Sequence, residues 1–236
     1  MRADGVETRA VTVHLPVELA RQLRVEAAVV DADHCNGCRR CVADCPYGAV
    51  SLVPHPNGKP FQQLALVDGD RCAGCGICAG ACPTSTPFRR DQRLVTGIDM
   101  PQLPVDALRQ QVRARLDALP GGPKVLVFVC DQGADIAALR RPGAVGISLL
   151  CAGQLPPSFV EFALRAGASE VVVAACGEGA CAYRLGNRWT VERLAGAREP
   201  HLRASVPAER YRVVHAGRGD EAQLTAVIDA AIARAE

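Results

Sequence analysis

A repeated run of four cysteines in the first third of the 236-residue chain limits its fold more than any other feature. Residues 34–46 read HCNGCRRCVADCP and residues 71–83 read RCAGCGICAGACP. The four cysteines and the final proline recur in register, and the similar segments VVDAD and LVDGD precede them. This duplication predicts two copies of one half-module that fold together.

The spacing C-x2-C-x2-C-x3-C-P in each run is that of two-cluster bacterial ferredoxins, in which the fourth cysteine of a run binds the other cluster. Zinc is the alternative, but four-cysteine zinc sites usually consist of two separated pairs. We therefore predict two 4Fe-4S clusters with crossed ligand sets. The ligands are Cys35, Cys38, Cys41 and Cys82 for the first cluster, and Cys72, Cys75, Cys78 and Cys45 for the second.

Residues from about Asp31 to Pro87 resemble the bacterial ferredoxin family throughout. The resemblance implies an α+β ferredoxin-like two-cluster domain. Arg39 and Arg40 stand inside the first run, where the second run has a glycine and an isoleucine. Since positive charge favours the reduced, more negative form of a cluster, we predict the higher potential for the first cluster. If both arginines point into water, they change little.

The remaining cysteines follow predicted strands of the second half. Cys130 ends VLVFVC, Cys151 ends ISLLC, Cys176 ends VVVAAC, and Cys181 lies five residues beyond Cys176. Strands and helices alternate here, which predicts an α/β domain with a mostly parallel sheet whose carboxyl ends share one edge. Four thiolates at that edge would hold a 2Fe-2S cluster or a zinc ion. Ordinary burial of free cysteine is the alternative.

A second resemblance favours the cluster. It rests on CDQGAD at 130–135, LLCAG at 149–153, PSF at 157–159, RAGA at 165–168 and ACGEGAC at 175–181. In this order they look like the iron–sulfur delta subunit of methyl-viologen-reducing hydrogenases, from about Lys124 onward. The resemblance implies a 2Fe-2S cluster on Cys130, Cys151, Cys176 and Cys181. The family often has further cysteines beside the first strand, where this chain has only Cys130.

The same resemblance implies a partner. The delta subunit passes electrons to the flavin-containing subunit of heterodisulfide reductase, and this chain from about Val25 through the repeat also looks like the C-terminal ferredoxin part of that flavoprotein. We therefore expect a hetero-oligomer with a flavoprotein of this kind. A hydrogenase, formate dehydrogenase or NAD(P)H dehydrogenase is the expected redox partner on the other side.

The predicted organisation has four parts. These are an N-terminal extension (1–30), the ferredoxin domain (31–87), a linker with an amphipathic helix (88–123) and the α/β domain (124–236). The predicted strands are Ala49–Val53, Phe61–Val67, Val125–Val129, Val145–Leu150, Glu170–Ala175 and Arg212–His215, and the predicted helices are Val105–Leu119, Pro156–Ala166, Thr190–Ala197 and Glu221–Ala235. The arginines Arg109, Arg113 and Arg115 are expected on a solvated helix face, and docking of an acidic partner is the alternative.

Composition excludes several other functions. The net charge is +2 and aromatic residues make up 4% of the chain, so nucleic-acid binding has little support. No apolar run approaches the ~18 residues that a membrane span requires, and residues 1–20 lack the apolar core of a secretory signal. We expect a cytoplasmic protein without direct membrane insertion.

We interpret the chain as a non-catalytic electron-transfer subunit with three clusters. An alternative is an oxidoreductase with a catalytic thiol or nucleotide site in the α/β domain, because GEGACA at 177–182 fits the dinucleotide pattern G-x-G-x-x-A. A structural role with zinc in the second site is the third possibility. No catalytic residue is predicted from the sequence.

Overall fold

The computed structural model describes residues 26–58, 62–90 and 92–235. The predicted extension, apart from its last residues, and Phe61 lie outside these ranges. The strands are β1 (Val29–Val30), β2 (Val50–Pro54), β3 (Gln63–Val67), β4 (Ile98–Asp99), β5 (Val125–Cys130), β6 (Ala144–Leu149), β7 (Glu170–Ala175) and β8 (Tyr211–His215). The α-helices are α1 (Arg40–Asp44), α2 (Ile77–Ala81), α3 (Val105–Asp117), α4 (Ser158–Arg165), α5 (Gly186–Leu194) and α6 (Glu221–Ala235).

The sequence repeat is also a repeat of backbone conformation. The first run places Gly37 and Arg39 in the left-handed region, with φ of 63° and 67°, and the second run places Gly74 and Gly76 there, with φ of 66° and 75°. The short helices α1 and α2 begin directly after Arg39 and Gly76. The two runs therefore wrap in the same way.

Two antiparallel strand pairs complete this half. β2 and β3 form the predicted hairpin, with Val50 opposite Val67 and Pro54 opposite Gln63. β1 pairs with β4, with Val30 opposite Ile98. Part of the expected linker thus packs against the start of the cysteine-rich region. A Cβ on Gly97 would lie 2.8 Å from the Cα of Cys35, so only glycine fits at this contact.

The second half contains a four-stranded parallel sheet in the order β6-β5-β7-β8, as the strand–helix alternation predicts. β5 and β7 are buried along their whole length. β7 and α6 have the predicted bounds, and the other sheet strands and α3 differ from them by one or two residues at an end.

The two faces of the sheet have different neighbours. Val125, Val127 and Val129 point to one face and pack with residues of α6. Leu126 and Phe128 point to the other face, where a separate core extends through α3 and α4 into the cysteine-rich half. One hydrophobic core therefore joins the two halves.

The helix α3 differs from the prediction at one arginine. Arg109 is buried, and its guanidinium donates to the carboxylate of Asp106 at 2.7 Å and to the carbonyl oxygen of Gln92 at 2.9 Å. The solvated face is therefore limited to Arg113 and Arg115. None of the helices in the described part of the chain is long and apolar enough to cross a membrane.

Candidate metal centres

The first cysteine group combines residues of both runs. Cys35, Cys38 and Cys41 line one enclosed cavity together with Cys82, which the chain supplies 41 residues after Cys41. Apolar side chains, including that of Ile98, close the cavity, and Arg39 also contributes to its lining. The structure therefore brings together the four residues that the crossed ligand set requires.

The second group combines three cysteines of the second run with the last cysteine of the first run. Burial raises the pKa of the Cys75 thiol to about 11, with further contributions from the nearby Cys45 and Cys72. Burial also raises the pKa of Cys78, which has Cys75, Cys72 and Cys45 as neighbours. Cys45 of the first run therefore lies with the three cysteines of the second run.

The buried thiols of both groups form thiolates only beside positive charge, which a metal cluster supplies. Burial raises the pKa of Cys41 to about 12, so a thiolate in this position needs positive charge beside it. Backbone N–H groups also point at sulfur: Ala65 N lies 3.3 Å from Cys35 Sγ, and Ala49 N lies 3.3 Å from Cys45 Sγ. Such donors stabilise thiolates that bind iron and influence the cluster potential.

The third group lies where the strand order of the parallel sheet reverses. The chain leaves β5 toward β6 on one side and leaves β7 toward β8 on the other. Open α/β sheets bind ligands at this switch point, outside the carboxyl ends of the strands. Cys130 is the last residue of β5, Cys176 follows β7, and their sulfur atoms are 3.3 Å apart. We call this group, completed by Cys151 and Cys181, the strand-end site.

Hydrogen bonds connect the four thiols of the strand-end site. Bonds from Cys151 and Cys176 lower the pKa of Cys130 to about 3. A hydrogen bond donated by Cys151 lowers the pKa of Cys181 to about 6. The pKa values of Cys151 and Cys176 are raised, because these two thiols donate the hydrogen bonds. The sulfur atoms thus form a connected set in which Cys130 and Cys181 are favoured as thiolates, the form that binds metal.

The helix α5 begins earlier than the sequence predicts because Gly186 has a packing role. The sequence pattern predicts a helix over Thr190–Ala197, with Gly186 as an interruption. A Cβ on Gly186 would lie 2.2 Å from Cys151 Sγ and 3.5 Å from Cys181 Sγ, so the helix can start beside the thiols only with glycine. The segment 177–182 forms turns rather than the first turn of a helix, which differs from a dinucleotide-binding loop.

The distances between ligands bear on the zinc alternatives. Among the residues that the structure describes, no three His, Cys, Asp or Glu side chains come close enough to bind one metal ion together. Metal analysis of the purified protein separates a zinc ion from a cluster at these sites. A cluster contains several metal atoms, so its ligands need not surround one point.

The second group and the strand-end site are neighbours. Cys75 and Cys151 belong to one buried cluster with Ile77 and Trp189. Two further aromatic side chains, Tyr47 and Tyr183, pack against this cluster. Sequence reasoning missed these aromatic residues, although Trp189 is the single tryptophan of the chain. The ring of His34, next to Cys35, has a local partner: its Nδ1 lies 2.8 Å from the carboxylate of Asp31.

These features define an iron–sulfur protein with two parts, and comparisons with known proteins agree. Residues 34–86 match the model of the 4Fe-4S dicluster domain, and residues 125–236 match that of the methyl-viologen-reducing hydrogenase delta subunit. The chain therefore joins a 4Fe-4S dicluster domain to a domain of the delta-subunit family.

Individual relatives match one or both parts of the chain. The chain is 29% identical over 195 residues to one subunit of the ferredoxin:CoB-CoM heterodisulfide reductase of Methanosarcina mazei, and the match covers 79% of this chain and 22% of the relative. It is 36% identical over 76 residues to the vhc iron–sulfur subunit of the F420-non-reducing hydrogenase of Methanococcus voltae, with 28% of this chain and 53% of the relative covered.

A third relative is the iron–sulfur subunit of the F420-non-reducing hydrogenase of Archaeoglobus profundus. It is 28% identical over 99 residues, and the match covers 39% of this chain and 72% of the relative. The chain therefore spans less than two thirds of the heterodisulfide reductase and Methanococcus voltae relatives, and most of the Archaeoglobus profundus one.

Proposed function

We propose that the chain is an electron-transfer subunit that carries two 4Fe-4S clusters and one 2Fe-2S cluster. In this proposal the dicluster part has a ferredoxin-like fold with the crossed ligand sets given above. The four cysteines of the strand-end site hold the 2Fe-2S cluster. When bound, these clusters supply one-electron redox chemistry, and the chain supplies thiolates, burial and hydrogen bonds that set their potentials.

The observation that carries the proposal is the shared buried cluster of Cys75 and Cys151. These residues belong to two different cysteine groups, yet apolar and aromatic side chains join them. A contact of this kind is expected when electrons pass between the sites.

Exposure gives the relay two ends. Cys38 of the first group is exposed, whereas the cysteines of the second group are half-buried or buried. At the strand-end site only Cys181 is half-buried, and the other three thiols are buried. We infer that redox partners approach near Cys38 and near Cys181, and that the second group lies between these ends.

The proposed partners follow from the relatives. One relative belongs to a heterodisulfide reductase and two are iron–sulfur subunits of hydrogenases. We therefore propose that the chain connects a flavoprotein like the flavin-containing subunit of heterodisulfide reductase with a hydrogenase, a formate dehydrogenase or an NAD(P)H dehydrogenase in a hetero-oligomer.

Rapid mixing tests this function. The anaerobically reduced full chain is mixed with the oxidised flavin-containing subunit of a heterodisulfide reductase, and flavin absorbance is followed. We expect flavin reduction, slowed at least tenfold by Cys78→Ser or Cys176→Ser, and unchanged by Ser51→Ala on the exposed side of β2. Iron-loaded wild-type protein that exchanges electrons with neither this flavoprotein nor a hydrogenase would contradict the proposal.

The alternative of a catalytic thiol has one observation in its favour, the lowered pKa of the half-buried Cys181. A thiolate near neutral pH is a nucleophile. Anaerobic treatment with iodoacetamide, read by mass spectrometry, separates the two functions. A cluster ligand is protected until the iron is removed, whereas a free catalytic thiolate is alkylated at once in the iron-loaded protein.

A further inference from the structure

A buried ion pair connects the two halves of the chain beside the cysteine sites. Arg193 Nη2 of α5 lies 2.5 Å from Asp44 Oδ2 at the end of α1, and their side chains are 1% and 3% exposed. Arg198 Nη1 binds the other carboxylate oxygen at 2.6 Å. The indole N–H of Trp189 donates to the carbonyl oxygen of Asp44 at 3.1 Å. Asp44 therefore has partners on both its side chain and its backbone.

The guanidinium of Arg193 touches the backbone next to both cysteine sites. Asp44 directly precedes Cys45 of the second group. Nη2 also lies 3.4 Å from the carbonyl oxygen of Ile77, between Cys75 and Cys78, and Nη1 donates to the carbonyl oxygen of Gly153 at 2.8 Å. Gly153 follows Cys151 by two residues. Arg193 thus lies between the second group and the strand-end site.

A purely structural contact does not require charge here. Burying an ion pair costs desolvation energy that its attraction often only balances, and an apolar pair of similar volume frequently stabilises more. The Nε of Arg193 is also buried without a hydrogen-bond partner in the described structure. The position does suit a cation for another reason. Two thiolate-rich metal sites on either side are both negative, and each becomes more negative on reduction.

We propose that Arg193 is a positioning residue that sets the potentials of the second 4Fe-4S site and the strand-end site, with Asp44 fixing its guanidinium. The inference rests on the proposed function. Electron transfer between these two sites moves one electron, so one site is oxidised as the other is reduced and no bond forms or breaks. The cation lowers the repulsion between the two sites and favours reduction of both. Asp44 opposes this effect, mainly at the second site.

Redox titrations of the full chain, monitored by EPR, test this inference. Arg193→Met should lower the potentials of the second site and the strand-end site. Asp44→Asn should raise that of the second site, because it removes a negative charge. If the contact only held the two halves together, both variants would shift the potentials in the same direction. The first site, built on Cys35, Cys38, Cys41 and Cys82, is the internal reference and should not change.

Two further variants and a matched control keep the test decisive. Arg193→Lys retains the charge and should restore most of the potential. Arg198→Met removes a partner of Asp44 that is 25% exposed, so it is the milder variant and should lower the second-site potential by a smaller amount. It replaces Arg193→Met in the test if that variant fails to retain iron. The matched control is Glu170→Gln, which alters another buried carboxylate, paired with Arg234 at 3.0 Å. A Glu170→Gln shift equal to that of Asp44→Asn would overturn the inference.

The failures of the two proposals are distinguishable. Wild-type protein without a strand-end signal would contradict the proposed function. Wild-type protein with all its signals, but with unchanged potentials in Arg193→Met and Asp44→Asn, would overturn only the role of Arg193.

Discussion

At the scale of single residues, Arg39 shows how the cysteine repeat fixes the backbone. It has φ of 67°, where the second run has glycine at the equivalent position 76. A left-handed conformation costs a non-glycine residue about 1–2 kcal/mol. Arg39 also lines the cavity of the first cysteine group, whereas Arg40 pairs with Glu199 at 3.2 Å. Our prediction of a higher first potential rests on both charges, that of the exposed Arg39 and that of the half-buried Arg40.

Replacing Arg39 separates charge from strain. Arg39→Gly should raise the free energy of unfolding by about 0.5–1 kcal/mol, since relief of strain exceeds the added chain entropy. Arg39→Ala keeps the strain and should give no such gain. Both variants should lower the potential of the first cluster and leave the second unchanged. Anaerobic thermal unfolding and EPR titration measure these effects, and equal stability of the two variants would argue against strain at Arg39.

Gly186 gives a prediction about the strand-end site. Because a Cβ there would lie 2.2 Å from Cys151 Sγ, Gly186→Ala should displace this thiol or the start of α5. We expect loss of the 2Fe-2S signal with both 4Fe-4S signals retained. Gly121→Ala is the matched control, since its Cβ would meet no atom within 4 Å. An intact 2Fe-2S signal in Gly186→Ala would show that Cys151 is not held in this way.

At the scale of elements, the contact between the two halves depends on glycine. A Cβ on Gly80 of α2 would lie 2.1 Å from the carbonyl oxygen of Gly153 and 2.8 Å from Arg193 Nη1. A Cβ on Gly153 would in turn lie 2.9 Å from the side chain of Ile77. The helix α2 and the turn after Cys151 therefore meet backbone to backbone.

Gly80→Ala should consequently separate these elements. We expect a destabilisation of about 1–3 kcal/mol, the usual cost of overpacking a well-packed core. Electron passage between the second site and the strand-end site should also slow, which freeze-quench EPR after partial reduction can follow. Gly121→Ala would tell a local effect from a general one, because a Cβ there meets nothing within 4 Å and the backbone is not left-handed. Equal effects of both variants would contradict the close contact.

Many of the helices and strands were predictable from the sequence. The strands β5 to β8 and the helices α3 and α6 follow from apolar runs and periodicity, which depend on local burial. The start of α5 was not predictable, because Gly186 reads as a helix breaker until Cys151 is placed beside it. The buried position of Arg109 depends on Asp106 and on distant carbonyl groups, so periodicity alone assigns it to the solvent.

At the scale of the whole molecule, the sequence predicts three cysteine groups and two kinds of domain. It does not predict that one core joins the halves, nor that the second group and the strand-end site are adjacent. These are long-range features, since Asp44 and Arg193 are 149 residues apart. The one local signal is that Asp44 directly precedes a cysteine.

The most direct test of the three-cluster relay is the iron and sulfide content of the anaerobically purified full chain, with EPR of the dithionite-reduced protein. Three clusters require about ten iron atoms per chain. Cys176→Ser should lower this number to about eight and remove the 2Fe-2S signal while the 4Fe-4S signals remain. Wild-type protein with about eight iron atoms and one zinc, or with no metal beyond the eight, would contradict the relay and leave only the dicluster part.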